Sequence, residues 1–472
     1  MRIDDKEHSA VILRVPLRSP LGNIRSPMGK MNSADLLGKV ISTLVTTADI
    51  DPENIDCGFL GGTALCGKNG ALQLGRLAVI SGLGDMGKHI PVVTESMLCG
   101  TSAKCIDSAA NAVIVGGNRK YSKRIAIVGG VDNYHTKYFP VGSDMVPPPV
   151  NPENKKHVKR TIRNGVLKAI GGIFKGKGFK IDLPKLLAEL IRPSLPKGLK
   201  KFIPMGPSGD WLAEKYKISK KRCDEFGKLS HARVTDAVNR GRLKSQIVTI
   251  DTGAGYVDTD DCYRDTTTKT GLEKLRASFG RFGIHTAGTS SQDGVGACAL
   301  LVANEARAED LKLQPMARFI ACAETAGDYG LGQLEQPLFA IPHALELAGL
   351  SIEDIDLWEI NEAFAAEVLF LLDELGIDIN KVNVNGGAIA IGHPYGASGA
   401  RLQCTLLHEM DRRAKEIQLS GSNEEIPKYG MSVLCVGLGQ GIAEVFEYIP
   451  EIVSNETAPA NHGGIAILKP TS

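Results

Sequence analysis

One local scheme occurs twice in this chain. A helical pattern of small residues, Cys99–Val115, leads to the run Arg124-Ile-Ala-Ile-Val-Gly-Gly130. A second one, Gly396–Met410, leads to Met431-Ser-Val-Leu-Cys-Val-Gly437. Both runs read as buried strands and both end in glycine. A chain that repeats a helix feeding a buried strand is constrained to an α/β fold with two related halves.

The intervening pattern agrees. Ala10–Leu17 and Pro91–Glu95 read as strands, as do Ile355–Ile360, the alternating run Asn383–Ile391, and Ile442–Ile449. Ser33–Asp49 opens with a capping residue, Ser33, and has helical spacing. With 472 residues, the chain is long enough for two or three packed units. Its 53 glycines suit tight turns and close backbone approaches. Hydrophobic residues at 43% and charged residues at 23% exclude a disordered chain or a coiled coil. The net charge of +2 excludes a nucleic-acid polycation, so no nucleic-acid partner is expected. No apolar run is long enough to cross a membrane.

Ten cysteines occur without a Cys-x-x-Cys pair. In a large chain whose first residues, Met1 to His8, resemble no secretory signal, this reads as free thiols in a reducing compartment. The expected location is intracellular: cytoplasmic first, mitochondrial as the alternative. Pro470-Thr471-Ser472 is not a peroxisomal address.

One segment differs from the rest. Residues 155–201 hold 14 Lys or Arg against two acids, Asp182 and Glu189, a net of +12. Pro184, Pro193 and Pro196 divide its amphipathic pieces into short helices. The region 136–245 therefore reads as an inserted, basic, mainly helical lid.

Three patterns mimic other chemistry. Asp251-Thr252-Gly253 matches half of an aspartic-protease pair, but no second copy exists. Gly437-Leu438-Gly439-Gln440-Gly441 follows a strand, yet the next segment reads as strand rather than the helix a dinucleotide site needs. Asp258, Asp260 and Asp261 could hold a cation, but read rather as a solvated loop.

Four other signals point to sulfur chemistry. Cys99 stands at the start of the small-residue helix, where the dipole favours thiolate and N–H groups can receive an oxyanion. Taken singly, a packing cysteine explains it better. His393, in the glycine-rich span Gly386–Gly399, is a base on a rigid turn or a turn residue bonded to backbone. Asn361, in Asn361-Glu-Ala-Phe364, is readable as a helix N-cap. Cys435 ends an apolar strand just before Gly437 and reads alone as a buried strand cysteine.

Together and in this order, Cys99-Gly-x-Ser, Asn361-Glu-Ala-Phe364, Gly392-His-Pro394 and Cys435-x-Gly437 resemble the thiolase family. Arg14-Val-Pro16, Thr286-Ala-Gly288 and Asp293-Gly294 extend the resemblance over most of the chain. It implies a five-layered α/β/α/β/α thiolase fold. The halves would be 1–135 with 246–313, carrying the nucleophile, and 314–450. Residues 136–245 would be the loop domain and 451–472 a polar tail.

The resemblance further implies reversible, coenzyme A-dependent cleavage of 3-ketoacyl-CoA. Cys99 would be the nucleophile and His393 its activator. Asn361 would position a water in one oxyanion hole, and the N–H groups of Cys99 and Gly437 would form another. Cys435 would be the acid and base. Ser291, Met205, Phe364 and Ala287 would face the acyl-CoA. Coenzyme A is then a substrate, and no permanently bound cofactor or metal is expected. Two departures from the family stand out. Thr289–Asp293 is about two residues short of the usual stretch, and Pro204 stands where many members carry His. The family also implies a homodimer or a dimer of dimers. Residues 155–201 resemble in position the extra segment of trifunctional-enzyme subunits, which implies a membrane surface or a β-oxidation partner; the equal alternative is that part of the charge faces the CoA phosphates and the rest is a solvated face. A thiolase-like acyl-CoA or lipid binder without turnover is the alternative.

Overall fold

The computed structural model describes residues 6–63, 73–116, 124–133, 203–280 and 283–451. The basic segment 155–201 and the tail beyond residue 451 lie outside the described residues. The main strands are β1 (Ala10–Leu13), β2 (Cys57–Gly61), β3 (Val92–Glu95), β4 (Ile125–Asp132), β5 (Gly294–Asn304), β6 (Pro315–Ala326), β7 (Leu357–Ile360), β8 (Tyr429–Val436) and β9 (Gln440–Tyr448). The main helices are α1 (Ser33–Thr47), α2 (Leu74–Leu83), α3 (Thr101–Gly116), α4 (Met205–Lys215), α5 (Lys220–Asn239), α6 (Pro337–Ala348), α7 (Ala365–Leu375) and α8 (Tyr395–Ser420).

The strands hydrogen-bond in the order β7-β8-β9-β6-β1-β5-β4-β2-β3. Read outward from the β1–β6 pair, the two directions are alike. In one half β1 is antiparallel to β5, β5 to β4, and β4 is parallel to β2. In the other β6 is antiparallel to β9, β9 to β8, and β8 is parallel to β7. The two glycine-ended runs, β4 and β8, therefore occupy equivalent places. Ala10 pairs Phe319 and Val11 pairs Arg318, so the halves share one hydrogen-bonded ladder.

Apolar side chains sort into layers. α1 and α2 pack their Leu, Val and Ile residues on one face of the first half-sheet. α6 and α7 do the same for the second, and α4 and α5 add Leu212, Phe226 and their neighbours to that cluster. Between the half-sheets lie α3 and α8, with Ile106, Val113, Leu407 and Met410 fully buried. Helix, sheet, helix, sheet, helix is the five-layered arrangement. Each buried Leu, Ile or Val contributes roughly 1.5–3 kcal/mol, so these three clusters hold the fold. The small residues of α3 and α8 have a packing cause. A β-carbon on Gly399 would stand 2.4 Å from the Ala103 nitrogen, so the central helices touch backbone to backbone.

Several local expectations are corrected. Asn383–Ile391 is not a strand: Val382 makes one bridge to Trp358, Asn383 turns at φ 45°, and Ala388–Ile391 is a single helical turn. Its apolar residues are buried on every side, which mimics alternation. The strand expected at Ala10–Leu17 breaks at Val15, φ 89°, and resumes as Leu17–Arg18. The cap of α1 is Asn32, whose Oδ1 accepts from the Ala34 N–H at 2.8 Å. Asp260 is not solvated. It is buried, and its carboxylate accepts both Arg18 guanidinium N–H groups at 2.7 and 2.8 Å.

Candidate active site

A strained turn presents Cys99. After β3 the chain makes a short 3-10 turn, Leu98–Gly100, before α3 starts at Thr101. Leu98 has φ 48°, a left-handed backbone that a side chain disfavours. Thr101 clamps the turn: its Oγ1 accepts from the Met97 N–H at 2.9 Å and donates to the Leu98 carbonyl at 2.7 Å. Gly100 admits the other half of the molecule, since a β-carbon there would lie 2.8 Å from Val436 Cγ2. Cys99 thus precedes the α-helix, and the thiolate expected from the helix dipole is not what its surroundings favour. Burial pushes the thiol up to about 12, against the opposing pull of the Gly437 N–H. The carboxyl groups of Glu367 and Asp132 push it further up, and its own N–H pulls it down. Cys99 is a protonated thiol at neutral pH and needs a base to become a nucleophile.

Cys435 meets it from the second half. It lies near the end of β8, fully buried. Burial raises its thiol, and the neighbouring Glu367 carboxyl and Cys99 sulfur raise it further. The chain then reverses through Gly437–Gly439 into β9, with Leu438 at φ 69° and Gly439 at φ 74°. The glycines after Cys435 thus form a hairpin turn rather than a phosphate loop. Gln333 fixes this turn: its Oε1 accepts from the Leu438 N–H at 3.2 Å and its Nε2 donates to Ser208 Oγ at 2.8 Å. The N–H groups of Gly437 and Cys99 converge on the Cys99 sulfur.

His393 stands at the end of the second glycine-rich turn. Asn361 Nδ2 lies 3.2 Å from His393 Nε2, and His393 Nδ1 lies 2.6 Å from Ser398 Oγ. Ser398 in turn donates to the Pro394 carbonyl at 2.9 Å. This chain of partners fits an imidazole with its proton on Nδ1 and a lone pair on Nε2. Burial, with Arg401 nearby, lowers its pKa to about 3, so the ring is neutral. Asn361 is not the N-cap of α7; that position is Phe364. Asn361 Oδ1 is buried and has no protein partner among the described residues, leaving an acceptor for a water or a substrate. Tyr395 joins the two groups. Its ring stands edge-on to His393 at 4.6 Å, Cys99 acts on its phenol, and its hydroxyl donates to Asp293 Oδ1 at 2.6 Å.

The remaining candidates flank this centre. Phe364 is buried, edge-on to Phe279 at 5.7 Å and to His285 at 5.2 Å. The Ser291 N–H donates to the Ala363 carbonyl at 3.0 Å, which ties the short 289–293 stretch to the Asn361–Phe364 loop. Of the two adjacent serines, Ser290 carries the buried hydroxyl that has no partner among the described residues. Ala287 is exposed on the turn before it. Met205 Sδ would stand 3.6 Å from a β-carbon on Gly437.

Two family models cover the chain: the thiolase N-terminal domain over residues 11–306 and the thiolase C-terminal domain over 313–448. This chain belongs to the thiolase family. It is similar to a 3-ketoacyl-CoA thiolase of Serratia proteamaculans, 33% identical over 93% of this chain and 98% of that one. An acetyl-CoA acetyltransferase of Allochromatium vinosum is 31% identical over 91% of this chain and 97% of its own. The solved human mitochondrial 3-ketoacyl-CoA thiolase in complex with CoA superposes with a TM-score of 0.74 at 27% identity, covering 93% and 98% of the two chains. The protein is accordingly an acyltransferase with thiolase activity.

Four residues of this thiolase site escaped the sequence reading. Ser398 and Tyr395 lie inside the span that marked His393, but nothing in the pattern says which way they point. Asp132 accepts from Thr63 N–H at 3.0 Å and from the Gly396 N–H, tying the end of β4 to the start of α8. Glu367 reads as an ordinary acid in a first helical turn, yet it is fully buried beside Cys435.

Proposed function

We propose that this thiolase cleaves 3-ketoacyl-CoA with Cys99 as nucleophile and Cys435 as acid and base. His393 Nε2 takes the Cys99 proton as sulfur attacks the 3-keto carbon. The C2–C3 bond breaks, its electron pair leaving as the acetyl-CoA enolate, and the Cys435 thiol gives its proton to that carbon. CoA thiol then attacks the acyl-Cys99 thioester after losing its proton to Cys435, and Cys99 leaves as thiol. Asn361 and His393 face one thioester oxygen, and the N–H groups of Cys99 and Gly437 face another developing oxyanion. Splitting the reaction over a covalent intermediate predicts ping-pong kinetics.

The observation that carries this reading is the meeting of two thiols from different halves, with Tyr395 set against both Cys99 and the neutral His393. The experiment is CoA-dependent thiolysis of acetoacetyl-CoA and of a long-chain 3-ketoacyl-CoA, with C99A as control. Turnover lost in C99A supports the nucleophile, and the substrate ratio reports chain-length preference. No turnover by folded protein on either substrate overturns the reading. Met205, Phe364, Ser291 and Ala287 are proposed to line the acyl-CoA path; F364A should raise KM for acyl-CoA more than it lowers kcat.

CoA acts as a substrate, and the protein works as a homodimer or dimer of dimers in a reducing intracellular compartment. Residues 136–245 act as its loop domain, and 155–201 dock on an anionic membrane or a β-oxidation partner. Salt-sensitive sedimentation with anionic vesicles tests the last point; binding unchanged on deleting 155–201 would rule it out. Among the described residues no helix is long and apolar enough to cross a membrane.

A further inference from the structure

Glu367 has no ordinary reason to be where it is. It is the third residue of α7, after the Phe364 N-cap, where an acid usually reaches back to the cap N–H in water. Here its side chain is fully buried. Among the described residues neither carboxyl oxygen has a well-formed hydrogen bond; the donors facing it are the Cys435 thiol and the Phe364 N–H. A carboxylate left so poorly partnered costs several kcal/mol, and such a group resolves the cost by holding its proton.

The groups around it leave little else to do so. Cys435 comes from β8, and Cys99 from the turn before α3 also acts with it. From the segment before β5, His285 Nε2 accepts from the Ala366 N–H at 3.4 Å. The other side of that ring lies 3.0 Å from Asp210 of α4, so Asp210 is already engaged. No Lys or Arg among the described residues neutralises Glu367.

We propose that Glu367 is a positioning residue for Cys435, a neutral carboxyl that shares the negative charge formed when Cys435 gives up its proton. This rests on the acid–base role of Cys435 given above. In cleavage the Cys435 S–H bond breaks, a C–H bond forms on the enolate carbon, and the electron pair stays on sulfur. The Glu367 O–H then donates to that sulfur, and the proton settles on whichever group holds it more tightly. The pair is one proton short until CoA–SH returns one through Cys435. No other reactant is needed. Burial raises the carboxyl to about 8, so the proton it shares is present at neutral pH and lost above.

The test is E367Q, which keeps an acceptor for the Phe364 N–H but carries no proton to share. Thiolysis kcat should fall about ten-fold to a hundred-fold. The alkaline fall of wild-type kcat near pH 8 should disappear, while KM for CoA and the melting temperature stay near wild type. A role in capping alone would move none of these kinetic quantities. E367D, which restores a proton, should recover part of kcat and the alkaline limb. If E367Q does not fold, infrared titration of the wild type between about pH 6 and about 9 replaces it. A protonated-carboxyl band lost over that range supports the inference, and its absence overturns it. C435S separates the two claims. An inactive C435S with an E367Q of wild-type kcat and pH profile overturns this inference alone. An active C435S overturns the site reading beneath it.

Discussion

The two halves of this thiolase share a frame and divide the chemistry. In the first half, the segment after β3 turns at Cys99 into the central helix α3. In the second, the bridge at Val382 stands beside β7 as β3 stands beside β2, and the chain turns at His393 into the central helix α8. The proposed nucleophile and base thus occupy equivalent places at the entry of the two central helices. The ends of β4 and β8 are equivalent as well, but one offers Asp132, which braces the Gly396 N–H, and the other offers Cys435. Duplicated architecture gives two helix entries and two strand ends facing one point. Different side chains at those four positions make it a site.

The largest effects should come from removing one half's contribution. C99A should lower thiolysis kcat by at least about 10⁴-fold, and C435A by a similar factor, because the chemistry needs both. Their double variant should be little worse than either single one. Additive losses in the double-variant rate would mean that the two thiols act in separate steps on separate sites, and the division of labour would fail.

The next test strikes the seam between halves. G399V places branched carbon where even a β-carbon would meet the Ala103 backbone. It should cost about 3 kcal/mol or more in urea unfolding, or prevent folding. At Gly421, in left-handed backbone with open space around it, alanine should cost only about 1 kcal/mol. Similar losses at both positions would show that the central helices do not depend on contact at Gly399.

What the sequence revealed follows the same seam. The paired runs β4 and β8 were legible because strands buried on both faces read as continuous apolar stretches, and helices in backbone contact must be built of small residues. The order of Cys99, Asn361, His393 and Cys435 was legible only through its resemblance to the thiolase pattern, since taken singly each fits a packing, capping or turn role. The run Asn383–Ile391 was misread because burial on all sides looks the same in a loop as in a strand. The β1–β6 ladder joining the halves leaves no local mark, since each strand alone fits an edge. Glu367 was invisible for a different reason: an acid in a first helical turn is ordinary in water, and only β8 packed against it makes it unusual.

A smaller effect distinguishes the two helix entries by pH. His393 is buried neutral, with a folded pKa of about 3 against an unfolded value near 6.5. Below pH ~6.5 the unfolded chain takes up a proton that the folded chain refuses, so stability falls as pH falls. Between pH 7 and pH 5 this group alone should remove about 2 kcal/mol. Urea unfolding of H393Q should show a correspondingly shallower acid loss than wild type. His231, lowered to about 4 by burial, contributes to both proteins and cancels in the difference. Parallel acid limbs for the two proteins would mean that His393 is not buried neutral.

The smallest effect lies one residue earlier in each half. Gly392 precedes His393 at φ 91°, and Leu98 precedes Cys99 at φ 48°. One half meets the left-handed backbone with the residue suited to it, and the other forces a leucine into it. L98G should relieve about 1–2 kcal/mol of backbone strain. It adds about 0.5–1 kcal/mol of unfolded-chain entropy. It also removes a half-buried side chain that packs beside Val436, Leu434 and Leu402. These terms oppose each other, so unfolding stability should change by less than about 1 kcal/mol. Activity should not stay level. Leu98 Cδ1 would lie 2.9 Å from a β-carbon on Gly437, so the leucine packs against the turn that follows Cys435. Losing it should lower kcat several-fold by loosening the register of the two thiols. G392A should do the reverse, costing more stability because alanine disfavours φ 91°. An L98G protein that is clearly more stable and fully active would show that the strain before Cys99 does nothing for the site.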